Sequence, residues 1–108
     1  MPSFEELLQE IRFAADSASC DSFRVLLCRD KNDALMLEVN DPEFRSQMQE
    51  FWSEGYKPLG VLGFRFSKGE LMTRRAVFPW LEAEWQSVFD ERCREFTNQV
   101  KEMAGQPQ

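Results

Sequence analysis

Leu59-Gly60-Val61-Leu62-Gly63-Phe64-Arg65-Phe66-Ser67-Lys68-Gly69-Glu70-Leu71-Met72-Thr73-Arg74-Arg75-Ala76-Val77-Phe78 is the stretch that decides the fold. Its two arms, 59–66 and 70–78, suit a pleated surface, and Ser67-Lys68-Gly69-Glu70 reads as the turn between them. Gly69 can take the positive φ that a tight turn demands. By alternation Leu62, Phe64 and Phe66 share one face. Gly60 and Gly63 inside the first arm point to a bulge or to a backbone packed close against the strand.

A similar pattern lies upstream. Residues 23–28 and 34–39 are short runs rich in Val, Leu and Phe, joined by the charged loop Arg29-Asp30-Lys31-Asn32-Asp33. Leu35, Leu37 and Val39 alternate, so one face of that second strand is expected to be buried. Each hairpin is preceded by a helical pattern. Ser3 with Glu6 forms a capping box, and Phe4, Leu7, Leu8, Ile11, Ala15 and Ala18 then make one apolar stripe. Asp41-Pro42 is a second helix start, with Phe44, Met48, Phe51 and Trp52 as its apolar face and Gly55 as its stop.

The clearest period is the last. Leu81, Trp85, Val88, Phe89, Cys93, Phe96, Val100 and Met103 recur at helical spacing, predicting one helix from near Pro79 to Ala104 with Gly105 as its stop. The fold class is therefore α+β, in the order α-β-β-α-β-β-α. It implies a four-stranded antiparallel sheet, helices packed on one face and a long C-terminal helix. Residues 1–105 form one domain, and 106–108 a frayed tail. The element order loosely resembles the small acidic dimeric chaperones of bacterial secretion systems, and that resemblance implies a protein-binding dimer.

Composition bounds the chemistry. The 108 residues carry a net charge of −6, with no His, ten Phe and three Trp. That charge repels nucleic acid and anionic membranes, so neither is an expected direct partner. No apolar run approaches the ~20 residues needed to cross a bilayer, and no signal segment opens the chain, which points to the cytoplasm. Cys20, Cys28 and Cys93 show neither a CxxC pair nor a zinc spacing, and read as reduced core hydrophobes. Without His the commonest general base and metal ligand are missing, and no phosphate-binding or calcium-binding loop stands in the chain. Glu5-Glu6, Glu82 with Glu84, and Asp90-Glu91 are neighbours one or two apart on helices, so they point apart. The expectation is a non-enzyme with no cofactor and no metal.

Charge placement carries more. Residues 1–56 hold twelve acids and five bases, 57–75 one acid and five bases, and 76–108 six acids and three bases. Lys57, Arg65, Lys68, Arg74 and Arg75 are thus a basic island on an acidic chain. Such charges either discourage stray pairing at a sheet edge or dock an acidic segment of a protein partner, with Arg74 and Arg75 as forked donors to carboxylates. Trp80, off the helical stripe beside Pro79, either anchors that partner or packs inward, and Phe13 has the same two readings. A helix of about 25 residues spans ~38 Å, whereas strands of seven or eight reach only ~25 Å. The stripe therefore outruns the sheet at Phe96, Val100 and Met103, where helices one or two, or the second subunit of a homodimer, would cover it.

These features predict a small acidic protein-binding module of the adaptor, chaperone or inhibitor kind. Two other classes stand beside it: a small-molecule-binding domain or enzyme with an aromatic-lined cavity, and an acidic nucleic-acid mimic that blocks a basic protein.

Overall fold

The structure, a computed structural model, describes residues 3–17 and 20–104. The elements follow in the expected order: α1 (Phe4–Ser17), β1 (Ser22–Asp30), β2 (Asp33–Glu38), α2 (Phe44–Ser53), β3 (Lys57–Ser67), β4 (Glu70–Val77) and α3 (Ala83–Ala104). The four strands form one antiparallel sheet in the order β2-β1-β3-β4. The stripe residue Ala18, the stop Gly105 and the tail 106–108 lie outside the described residues.

Local chemistry explains the boundaries. The Glu6 amide donates to Ser3 Oγ and the Ser3 amide to Glu6 Oε1, each at 3.2 Å, so the capping box opens α1. At the second start, the Glu43 amide donates to Asp41 Oδ1 at 2.8 Å and Phe44 N–H to the Asp41 carbonyl at 2.9 Å. These bonds make a turn of Asp41-Pro42-Glu43, and α2 begins only at Phe44. Helix α3 likewise starts at Ala83 rather than near Pro79. Leu81 N–H bonds the Phe78 carbonyl at 3.0 Å, and the Trp80 ring stacks on Phe78 at 4.8 Å, which holds the chain in a turn first. The second hairpin turns on Lys68 (φ 52°) and Gly69 (φ 81°), the two positive φ values of a two-residue loop that matches strand twist.

The helices do not share one face of the sheet. Leu7, Ile11, Phe44 and Met48 from α1 and α2 pack with Phe23, Val25, Leu27 and Val61 in one core. Val88, Phe89 and Cys93 from α3 pack with Leu26, Cys28, Leu62 and Phe64 in another. The expectation of a single covered face is corrected by the central strands, which are apolar in both directions. Val25-Leu26-Leu27-Cys28 is buried without a break, as is the stretch 58–64 of β3. Each Val, Leu or Phe buried is worth about 1.5–3 kcal/mol. Leaving Leu26, Leu62 and Phe64 in water would therefore cost several times that, and a second layer follows.

Both strand glycines are sites of close approach. A Cβ on Gly60 would sit 2.6 Å from the Phe89 ring and 2.5 Å from the Ala76 carbonyl oxygen. One on Gly63 would sit 2.8 Å from Cys20 Sγ, on the opposite face. The expected bulge is present too, where Leu26 pairs with Gly60 but Leu27 with Pro58.

The two layers are offset. Helix α2 lies against β2 and α1 against β3, whereas α3 lies against β3 and β4. Each edge strand therefore keeps one uncovered shoulder: β4 on the α1/α2 face, β2 on the α3 face.

Candidate protein-docking site

The open shoulder of β4 is a groove of about 320 Å³ between α1 and the strand. Phe13 and Ala14 form its helical wall, Phe23 and Val61 its floor, and Arg74, Ala76 and Phe78 its outer side. Phe13 is 70% exposed, which settles its two readings in favour of the surface.

Register determines which β4 groups point outward. Phe78 N–H donates to the Leu59 carbonyl at 3.2 Å, and the β3–β4 register runs without a shift from Gly60 opposite Val77 to Ser67 opposite Glu70. Hydrogen-bonded and non-bonded pairs alternate in an antiparallel ladder. Glu70, Met72, Arg74 and Ala76 therefore turn their main-chain groups to β3, while Leu71, Thr73, Arg75 and Val77 turn theirs away. The side chains of Arg75 and Val77 stand on the α3 face, opposite Leu62 and Gly60, yet both residues line the groove.

The basic island is divided. Arg65 and Arg74, in register with Met72 and Gly63, stand on the α1/α2 face. Both lie near Cys20, where their charges favour the thiolate, although burial prevails and pushes that thiol up. Neither arginine makes an ion pair among the described residues. Arg75 stands on the α3 face, 3.5 Å from Asp90, so the Arg74–Arg75 fork expected from sequence is not assembled. Lys57 is also on the α3 side, its Nζ 5.8 Å from the centre of the Trp85 ring. Eight residues of strand separate it from Arg65, about 26 Å. Lys68 is exposed in the hairpin turn.

Trp80 is half-buried against the α1/α2 core, and its indole N–H is buried with no acceptor among the described residues. It also lines a cleft of about 230 Å³ with Lys57, Pro58, Leu81, Glu82 and Trp85, at the opposite end of β3 from Arg65. The tryptophan and the free arginines thus belong to different places.

At the end of α3 the stripe residues differ among themselves. Phe96 packs on Phe64 at 5.5 Å, with the Arg24 guanidinium 5.3 Å from its ring centre, and Val100 is half-buried beside it. Met103 is 81% exposed. With Phe66, Gln99 and Arg24 these three line a shallow cleft of about 400 Å³. Helices α1 and α2 are on the far side of the sheet and do not cover it.

Buried thiols offer no nucleophile. Cys28 of β1 and Cys93 of α3 are buried where that helix meets the sheet, and desolvation pushes them up to about 11 and about 12 respectively. Among the described residues no three Cys, Asp or Glu side chains gather as a metal site. Among the described residues no helix is long and apolar enough to cross a membrane.

No family model, no curated protein and no solved structure matches this chain. The groove itself was not legible in sequence. Its apolar residues come from α1, β1, β3 and β4, and only Gly63, whose missing side chain makes room for Cys20 beside the floor, signalled crowding there.

Proposed function

We propose that this chain is a protein-binding module that engages a partner polypeptide along the open shoulder of β4. The observation that carries the reading is the conjunction of an outward main-chain edge, an apolar groove beside it, and two arginines without ion pairs among the described residues, on an otherwise acidic chain. An acidic segment of the partner is the complement of that surface. The aromatic-cavity reading draws less support, because Phe51 with Tyr56 and Phe78 with Trp80 pack on each other instead of framing an enclosed space.

The module acts as a homodimer through the end of α3. Exposed Phe66 and Met103 beside Phe96 and Val100 support this part of the reading, since two copies would bury the surplus stripe. Such a protein sediments near twice 12.7 kDa at micromolar concentration. Changing Met103 to Glu leaves a folded monomer, and a sedimentation coefficient unmoved by this change removes the dimer from the account.

The partner-binding reading is tested by affinity capture from native cells, comparing the wild type with a variant carrying Arg65→Glu and Arg74→Glu. The expected result is a stoichiometric polypeptide held by the wild type and lost by the variant, with both proteins equally folded by circular dichroism. A bound small molecule in place of a polypeptide, or capture indifferent to the two reversals, contradicts it.

A further inference from the structure

Resting on that protein-binding reading, we infer that the occupant of the groove is an extended segment added to the sheet as a fifth strand beside β4. Its pattern is apolar-x-acidic-x-apolar.

Three observations lead there. The first is the main chain. Leu71, Thr73, Arg75 and Val77 point their N–H and C=O groups away from β3, a row of four residues at alternate positions along an eight-residue strand. An extended chain satisfies such a row with its own alternating groups, whereas a helix, whose main chain is internally bonded, cannot. The second is side-chain order. Met72, Arg74 and Ala76 stand two apart on the groove face, with Met72 51% exposed and Arg74 between the two apolar residues. Cross-strand neighbours interact pairwise. A strand laid alongside therefore places an Asp or Glu beside Arg74 and apolar side chains two positions away on each side. One meets Met72; the other meets Ala76 and enters the groove toward Phe13 and Phe78.

Charge is the third, and it weighs against the simplest competitor. A second copy adding its own β4 antiparallel about an axis at Arg74 would set the two Arg74 side chains opposite each other on the groove face. Like charges facing each other in a sheet are destabilising. An acidic strand instead gains the carboxylate that Arg74 and nearby Arg65 lack among the described residues.

A phage-displayed library of random twelve-residue peptides, selected on the immobilised full-length protein, tests this directly. The expected result is enrichment of Asp or Glu flanked at two residues on either side by Val, Ile, Leu or Phe. The best peptide, made synthetically, should lose about tenfold in affinity for the Arg74→Glu protein. N-methylation of its alternate residues keeps the question independent of how any variant folds. Methylating the set that faces β4 abolishes binding, and methylating the other set leaves it intact. Enriched peptides with helical spacing, indifference to Arg74→Glu, or equal effects of the two methylation sets overturn the added strand. No enrichment at all does the same, and the wider reading then stands or falls on the capture experiment, which detects folded partners as well.

Discussion

The two edges of the sheet are built alike and finished differently. Each has a row of outward main-chain groups: Ala34, Met36 and Glu38 on β2, since Val39 N–H bonds the Phe23 carbonyl at 2.9 Å, and four residues on β4. Each also has a shoulder the offset helices leave bare. The β2 shoulder, lined by Met36, Phe96, Arg92 and Glu95, uses its charges internally. Arg92 donates to the Lys31 carbonyl at 2.7 Å and lies 3.4 Å from Glu95. Beyond it Asp33 accepts from Tyr56 at 2.9 Å and pairs with Arg29 at 2.8 Å. The β4 shoulder leaves Arg65 and Arg74 without an ion pair among the described residues. Strand β2 is half-buried except at Glu38, whereas β4 exposes every residue but Leu71 and Thr73. An edge becomes available when its charges have nothing nearer to do.

The strongest way to break this comparison is to remove the wall that makes it asymmetric. Phe89 is buried at the contact of α3 with β3, beside Gly60. Phe89→Ala should cost about 3–5 kcal/mol in urea unfolding. A loss below about 0.5 kcal/mol would mean that α3 does not hold that face.

Alkaline pH attacks the same wall without mutation. The raised thiols of Cys28 and Cys93 stabilise the fold as neutral groups, fully so below pH 9. That contribution is lost as pH rises through about 11 for Cys28 and about 12 for Cys93. Tyr56, raised by its hydrogen bond to Asp33, acts with the same sign. Urea midpoints should fall steeply above pH 10, and Cys93→Ala should flatten the fall. An unchanged slope would place the thiol in water.

A smaller effect separates the glycine sites from the surface. Gly60→Ala drives a methyl into the Ala76 carbonyl and the Phe89 ring, for about 1–3 kcal/mol. Thermal melts of this variant and of the wild type check it; equal melting temperatures would deny the close approach.

The smallest effect is the most discriminating. Arg92→Ala removes the bond to the Lys31 carbonyl and should cost about 0.5–1.5 kcal/mol. Arg74→Ala should stay within about 0.5 kcal/mol of wild type. Equal losses in chemical denaturation would erase the difference between the shoulders.

Element types and order were readable because the signals are local. The Ser3–Glu6 box, the Lys68-Gly69 turn and the 3.6-residue stripe of α3 each lie within a few residues of the structure they specify. The placement of the helices was not, because continuous burial of Val25–Leu26–Leu27–Cys28 and of 58–64 carries no alternation to show that both faces are covered. The site was legible only as charge. Five bases within nineteen residues mark a hairpin, but alternation sends Arg75 to one face and Arg65 and Arg74 to the other, and the bulge between Pro58 and Gly60 turns Lys57 to the side of Arg75. Which arginine stays free depends on Asp90, fifteen residues beyond Arg75 and on a different element.

Amide hydrogen exchange by NMR, with and without the selected acidic peptide, tests the central claim most directly. In the free protein the amides of Leu71, Thr73, Arg75 and Val77 should exchange fast, and in the complex they should become protected. Those of Ala34, Met36 and Glu38 on the other edge should stay as they were. Protection confined to β2 or to α3, or none on β4 at saturating peptide, would contradict the account.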